Sequence, residues 1–139
     1  NYAEQLNIPL AFIEKRRILH PDNPEALTLI GDVKGKDVIL LDEEISTGKT
    51  IINAVNVAVK SGAKDVVVVF IHPILGDDGA QQLAALPVKQ FITTDTIPIP
   101  DEKKKFFGKR LSVISVSKLL ADVIERVNAG RSVGEMFNE

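Results

Sequence analysis

The residues with the clearest potential for chemistry form the segment 42–50, which reads Asp-Glu-Glu-Ile-Ser-Thr-Gly-Lys-Thr. Carboxylates stand at the end of a strongly apolar run, hydroxyls and a glycine follow, and a helical pattern begins directly afterwards. Such a loop presents N–H groups and hydroxyl donors to an anion, and the positive end of the helix dipole adds to the attraction. Ionised carboxylates accept hydrogen bonds from sugar hydroxyls. Because a phosphate beside vicinal hydroxyls is a pentose phosphate, the segment predicts a pentose-phosphate site.

Two other interpretations of this segment have to be weighed. In the first, Ser46 and Thr47 only cap the helix and the acids favour its positive end; the acids on a buried strand weaken this interpretation. In the second, the Gly-Lys-Thr that ends at Thr50 belongs to a nucleotide-binding P-loop. That motif needs a glycine five residues before its second glycine, and Glu43 occupies the position. A carboxylate there would face the phosphates, so the sequence disfavours a P-loop.

A second candidate cluster is Glu-Lys-Arg-Arg at residues 14–17, which we expect on a loop directly after a strand. Adjacent cations can neutralise a polyphosphate as charge develops during group transfer. Taken alone, the run is more typical of a solvated surface. His72 precedes Pro73 at the end of another predicted strand, and we interpret it as structural rather than as an acid or base.

The elements that must position these residues alternate between short apolar runs and helical patterns, which favours a mostly parallel sheet with flanking helices. The predicted strands are 10–13, 28–30, 37–42, 65–71, 90–93 and 111–115. The predicted helices are the end of one at 1–7, then 50–60, 78–86 and 117–127, with a charged loop at 94–105. This order predicts one doubly wound α/β domain over residues 1–139. Ligands of such folds bind past the carboxyl ends of the strands, where Asp42 lies.

Composition limits the classes of partner. The chain has 139 residues with 45% hydrophobic and 26% charged residues, which is typical of a globular protein. The net charge of −2 gives no reason to expect nucleic-acid binding. The apolar runs are too short to span a bilayer, so we expect no membrane partner. Without cysteine there is no disulfide framework, and a cytoplasmic location is the simpler expectation.

The segment 42–50 resembles the 5-phosphoribosyl 1-diphosphate signature of type I phosphoribosyltransferases and ribose-phosphate diphosphokinases. Its surroundings are more similar to the diphosphokinases, in order and spacing, over essentially the whole chain. The segments that carry this likeness are Ile-Glu-Lys-Arg-Arg at 13–17, Ile-Gly-Asp-Val-Lys-Gly-Lys at 30–36, Gly-Ala-Lys at 62–64, His-Pro at 72–73, Thr-Asp-Thr-Ile-Pro at 94–98, Leu-Ser-Val at 111–113 and Gly-Arg-Ser-Val-Gly-Glu-Met-Phe at 130–137. The chain is therefore similar to the carboxyl-terminal half of a ribose-phosphate diphosphokinase with a phosphoribosyltransferase-like fold.

The resemblance implies a role for each matching residue. Asp42 and Glu43 would hold the ribose hydroxyls. The 5-phosphate would be wrapped by residues 46–50, the candidate phosphate loop: Ser46, Thr47, Gly48, Lys49 and Thr50. Lys15 and Arg17 would belong to a catalytic loop that contacts the ATP phosphates. Two departures from the family pattern matter, because Glu43 is longer than the usual second Asp and Lys49 replaces a small residue. The Lys49 side chain could either strengthen phosphate binding or crowd the loop.

The implied reaction transfers the β,γ-diphosphoryl group of MgATP to the 1-hydroxyl of ribose 5-phosphate and releases AMP. The resemblance also implies Mg²⁺ as cofactor and a homo-oligomer, a dimer or hexamer, with no metal ligand assigned in this chain. Because family members are about twice this length, we expect this half to be weak or inactive alone. Two alternatives stay open: a phosphoribosyltransferase acting on a nucleobase, and a non-catalytic regulatory relative.

Overall fold

The structure, a computed structural model, describes residues 2–16, 26–76 and 78–137. Its strands are β1 (Phe12–Arg16), β2 (Ala26–Ile30), β3 (Asp37–Glu44), β4 (Asp65–His72), β5 (Gln90–Thr94) and β6 (Leu111–Ile114). Its helices are α1 (Tyr2–Gln5), α2 (Lys49–Lys60), α3 (Gly79–Ala84), α4 (Asp101–Phe107) and α5 (Ser117–Asn128), with short 3₁₀ turns at Gly108–Arg110 and Gly134–Phe137.

Strands β3 to β6 form a four-stranded parallel sheet in the order β3-β4-β5-β6. The register pairs Leu40 with Val68 and Val68 with Phe91, so the apolar runs of neighbouring strands lie side by side. Strands β1 and β2 form a separate antiparallel hairpin. The predicted α/β class, a parallel sheet flanked by helices, is confirmed.

The two faces of the parallel sheet differ. Because crossovers between parallel strands are right-handed, sequential strand order places the connecting helices α2, α3 and α4 on the same side. This helix-covered face carries the hydrophobic core, whose strand residues include Val66, Val68, Phe70 and Phe91. The open face carries the alternate residues, among them Ile39 and Leu41, which are exposed. Helix α5 follows β6 and buries none of its residues.

The expected loop at 94–105 is wrong in its second half, where the chain forms α4. The five charged residues at 101–105 suggested a loop, but their order favours a helix. Asp101 and Glu102 occupy the first turn and Lys104 and Lys105 the last, so each charge complements the nearer end of the helix dipole. Phe107 supplies the apolar contact by packing edge-to-face on Phe91, with ring centroids 5.0 Å apart.

The expected loop at 14–17 is also wrong for its first residues. Strand β1 continues to Arg16, because its backbone pairs with that of the antiparallel strand β2. In this register Glu14 lies opposite Thr28 and Lys15 lies opposite Leu27. The other predicted elements are present, with ends displaced by three residues or fewer. Among the described residues, no helix is long and apolar enough to cross a membrane.

Candidate functional site

The acidic residues stand at the carboxyl end of β3. Side chains alternate along a strand, so Asp42 shares the helix-covered face with Leu40, which packs against the core. Asp42 is half-buried, and its Oδ1 accepts a hydrogen bond of 2.9 Å from the backbone N–H of Glu43. By the same alternation Glu43 lies towards the open face, and Glu44 returns to the side of Asp42.

The candidate phosphate loop turns directly into α2. Gly48 precedes the helix with φ of 80°, a left-handed conformation that favours glycine. A Cβ at this position would lie 3.3 Å from Leu83 Cγ, so α3 also demands a small residue here. The N-cap residue is Gly48 and makes no side-chain hydrogen bond to the helix, so within the described part of the chain Ser46 and Thr47 do not act as simple caps.

The loop keeps hydrogen-bond donors available for a ligand. Within residues 2–16, 26–76 and 78–137, nothing accepts a hydrogen bond from the N–H groups of Ser46, Thr47 or Gly48. The first N–H groups of α2 add to these donors, because a helix has no internal partners for them. Together they provide the donors and the positive dipole end that an anion requires.

A depression of about 140 Å³ lies over this loop. It is lined by Asp42, Glu44, Ile45, Ser46, Thr47, Gly48, Lys49, Thr50 and Ile51. The structure thus brings together the predicted Asp42 and all five residues of the candidate phosphate loop. Glu44, which the sequence prediction left out, lines the depression, whereas Glu43 does not. The period-2 alternation of β3 was the signal that could have pointed to Glu44.

An apolar cleft of about 570 Å³ adjoins the depression and shares Asp42, Lys49 and Thr50 with it. Its other walls come from the segment before β1, the β1–β2 hairpin, β3 and α2. The hairpin that contains Lys15 therefore borders the same region as the candidate phosphate loop. Arg17, the other predicted catalytic residue, lies outside the described residues.

His72 ends β4 beside this region. Its Nδ1 lies 3.0 Å from Thr96 Oγ1, and the Thr94 and Thr96 hydroxyls donate to the carbonyl of Ile71 at 2.8 and 3.0 Å. These hydrogen bonds tie the end of β4 to the turn after β5. The contact fits the structural role that we expected for His72.

The described parts of the chain contain no group of three or more His, Cys, Asp or Glu residues that could hold a metal ion. Mg²⁺ is commonly bound through only one or two carboxylates together with water and substrate phosphates, and Asp42 and Glu44 are the carboxylates that line the depression.

A known protein family matches almost the whole chain. The family described as "phosphoribosyl synthetase-associated domain" matches residues 2–138. The chain belongs to this family. The resemblance to the carboxyl-terminal half of ribose-phosphate diphosphokinases, also called pyrophosphokinases, is thereby confirmed.

Individual relatives agree with the family assignment. The ribose-phosphate pyrophosphokinase of Caldanaerobacter subterraneus subsp. tengcongensis is 39% identical over 136 residues, covering 98% of this chain and 42% of the relative. That of Bifidobacterium longum is 40% identical over 131 residues, covering 94% of this chain and 38% of the relative. The crystal structure of phosphoribosylpyrophosphate synthetase from Mycobacterium smegmatis superimposes with a TM-score of 0.82 at 39% identity, covering 93% of this chain and 40% of that protein.

The chain thus spans about 42% of the length of the first of these relatives. It is homologous to part of an enzyme. The activity, substrates and partners of a whole phosphoribosyl synthetase are proposals for it.

Proposed function

We propose that this chain is the ribose-5-phosphate-binding half of a ribose-phosphate diphosphokinase. The observation that carries the proposal is the candidate phosphate loop, which joins the carboxyl end of β3 to α2 and lines one depression together with Asp42. The 5-phosphate accepts hydrogen bonds from the loop N–H groups and hydroxyls. The ribose hydroxyls donate to the strand-end carboxylates.

Calorimetric titration with two ligands tests this assignment. Ribose 5-phosphate and inorganic phosphate are titrated separately into the wild-type chain and two variants. Thr47→Ala weakens both ligands, because both carry the phosphate, whereas Asp42→Asn weakens ribose 5-phosphate and spares phosphate. A lost hydrogen bond to a charged group costs about 1.5–3 kcal/mol, so the affected dissociation constants rise roughly tenfold or more.

Matched controls come from the opposite ends of the same elements. Asp37→Asn removes a carboxylate at the amino end of β3, and Ser61→Ala removes a hydroxyl at the far end of α2. Both controls bind like the wild type. Absence of saturable binding by a chain with a cooperative unfolding transition would refute the proposal.

The second acid is tested in parallel. The resemblance assigns the ribose contact to Glu43, while Glu44 lines the depression. We keep Glu43 in the proposal, and Glu43→Gln weakens ribose 5-phosphate but not inorganic phosphate. If the loss is confined to Glu44→Gln, the role passes to Glu44.

The catalytic part of the proposal concerns Lys15 and Arg17. The 1-hydroxyl oxygen of ribose 5-phosphate forms a bond to the β-phosphorus of ATP, the bond to the α–β bridging oxygen breaks, AMP departs and the hydroxyl loses its proton. The two cations neutralise the charge that accumulates on the phosphoryl oxygens. Mg²⁺ enters bound to ATP, as part of that substrate.

Release of AMP from ATP in the presence of ribose 5-phosphate measures this reaction. The isolated chain is weak or inactive, and adding the amino-terminal half of a relative in trans raises the rate. In that mixture Lys15→Ala and Arg17→Ala lower the rate at least about 100-fold, since charge-stabilising donors contribute on this scale. Neither changes the affinity for ribose 5-phosphate, and Lys36→Ala serves as an exposed-cation control. The proposed homo-oligomer, a dimer or hexamer, is tested by sedimentation velocity on the same samples.

A further inference from the structure

The segment that follows β4 holds the start of the candidate phosphate loop through backbone hydrogen bonds. The N–H of Ile45 donates to the carbonyl of His72 at 3.1 Å, and the N–H of Leu75 donates back to Ile45 at 2.8 Å. The N–H of Gly76 then donates to the carbonyl of Ser46 at 2.7 Å. The backbone at 45–46 is therefore held by a segment some thirty residues further along the chain.

Leu75 is held in an unfavourable backbone conformation. Its φ of 47° lies in the left-handed region, which residues with a Cβ rarely adopt. Its side chain is buried in the core, and its carbonyl oxygen accepts a hydrogen bond of 2.5 Å from Lys103 Nζ. Lys103 lies on α4 and is partly buried, so a half-buried cation fixes the orientation of this carbonyl.

The two hydrogen bonds act on one peptide group. The carbonyl of Leu75 and the N–H of Gly76 belong to the same planar peptide group. Its oxygen accepts a hydrogen bond from Lys103 Nζ, and its N–H donates a hydrogen bond to the carbonyl of Ser46. A charged donor at the oxygen polarises the amide, and connected hydrogen bonds strengthen one another. Lys103 therefore strengthens the contact that orients the Ser46 carbonyl.

The orientation of the Ser46 carbonyl fixes the next donor. The peptide between Ser46 and Thr47 is trans, since the described residues contain no cis peptide bond. In a trans peptide the N–H and the C=O point in opposite directions. With its carbonyl directed at Gly76, this unit directs the Thr47 N–H away from the supporting segment, and Thr47 lines the depression.

We propose that Lys103 is a positioning residue for phosphate binding, acting through the Leu75–Gly76 peptide on the Thr47 N–H. The proposal rests on the function proposed above and extends it to a residue outside the depression. Gly79 completes the support, because a Cβ there would lie 3.3 Å from the carbonyl oxygens of both Ser46 and Thr47.

The test compares three substitutions at one position with a neighbour on the same helix. Lys103→Met removes the donor, Lys103→Gln keeps an uncharged donor and Lys103→Arg keeps the charge. Lys104→Met is the control, because Lys104 is exposed and pairs with Asp101 on its own helix. Inorganic phosphate and ribose 5-phosphate are titrated by calorimetry, and the amide exchange rates of Thr47 and Gly76 are measured by NMR without ligand.

Lys103→Met is expected to weaken both ligands roughly tenfold, the size of one charged hydrogen bond, and to speed exchange of the Gly76 amide by a similar factor. Lys103→Gln lies between, Lys103→Arg restores most of both properties, and Lys104→Met changes neither. If Lys103→Met lowers the melting temperature while leaving phosphate affinity and Gly76 exchange at wild-type values, the role is only structural and the proposal is overturned.

Failure of the two proposals can be told apart. A wild-type chain that binds neither ligand refutes the proposed ribose-5-phosphate site and the positioning role together, whereas a wild-type chain that binds both, with unchanged phosphate affinity and Gly76 exchange in Lys103→Met, refutes the positioning role alone. If Lys103→Met does not fold, the decision rests on Lys103→Gln: wild-type exchange at Gly76 in that variant overturns the proposal.

Discussion

The two faces of the parallel sheet come from the same strands and yet have different environments. On the helix-covered face, Phe70 and Phe91 are both 0% exposed. On the open face, Ile39 and Leu41 are 47% and 50% exposed, although they belong to the same apolar run as Leu40. Hydrophobic sequence alone therefore does not determine burial here. The handedness of the crossovers does, because it sends all connecting helices to one side.

The comparison also locates the candidate site. The candidate phosphate loop begins α2, one of the helices on the covered side, and Asp42 faces the same side. The support from Gly76 and Lys103 belongs to that side as well, through the segment after β4 and through α4. The helix-covered side, which carries the hydrophobic core, is thus also the side that holds the residues predicted to bind phosphate.

The largest expected effect contrasts apolar strand residues on the two faces of the sheet. Phe91→Ala removes a buried ring that contacts Phe107 and lies 5.6 Å from the Arg110 guanidinium carbon. It lowers the free energy of unfolding by about 3–5 kcal/mol, whereas Ile39→Ala on the open face costs about 1 kcal/mol or less. Urea unfolding followed by circular dichroism measures both. Equal losses would show that the open face is covered in solution and would break the comparison.

An intermediate loss of stability is expected on substitution of Arg110, whose side chain binds backbone carbonyls at and just after the end of α3 on the covered side. Its guanidinium donates to the carbonyls of Leu86 at 3.2 Å and Val88 at 2.9 Å, and also to Ala84. Arg110→Met leaves these carbonyls without their donor and lowers the free energy of unfolding by about 1–3 kcal/mol.

The neighbouring cation provides the control for Arg110. Lys109→Met, at an exposed position, leaves the unfolding free energy within about 0.5 kcal/mol. Arg110→Lys does not restore stability fully, since one ammonium cannot replace a planar fork of donors. Full restoration by lysine would mean that charge, rather than the geometry of the fork, matters here.

The smallest effect concerns Asp95, at the connection to α5. The Ser115 hydroxyl and then the Val116 N–H, at 2.8 Å, hold the pKa of the Asp95 carboxyl below its usual value of 3.8. A lowered pKa in the folded state stabilises the fold above pH 3.8, and this contribution disappears as the pH falls through the folded-state pKa. Asp95→Asn therefore flattens part of the acid-induced fall in melting temperature.

An NMR titration of the Asp95 carboxyl carbon checks this directly. Its midpoint is expected below 3.8 in the folded chain. A midpoint at or above that value would show that the contacts with Ser115 and Val116 do not persist in solution. The effect is modest because the carboxyl is exposed to solvent.

Local patterns were enough to predict several elements and the linear part of the site. The run that became β3 and the helical stripe of α2 could be identified because each depends on neighbours within a few residues. The segment 42–50 combined both, so the sequence predicted Asp42 and the candidate phosphate loop at one strand end, and they line one depression there. The sequence prediction has a loop in place of α4 because a run of five charged residues is typical of an exposed loop, although Pro100 followed by Asp101 and Glu102 is typical of a helix start.

The sequence by itself determined the parallel α/β class, through periodicity, and the position of the candidate phosphate loop, through a contiguous motif. The family followed from the resemblance of short segments along the chain to those of ribose-phosphate diphosphokinases. Only the tertiary structure decided which face of the sheet stays open and that Lys103 donates a hydrogen bond to the Leu75 carbonyl, next to the Gly76 N–H that holds Ser46. The physical reason is distance along the chain. Contacts between residues far apart in sequence depend on the register of the strands and the side on which each helix crosses, and no local pattern encodes either.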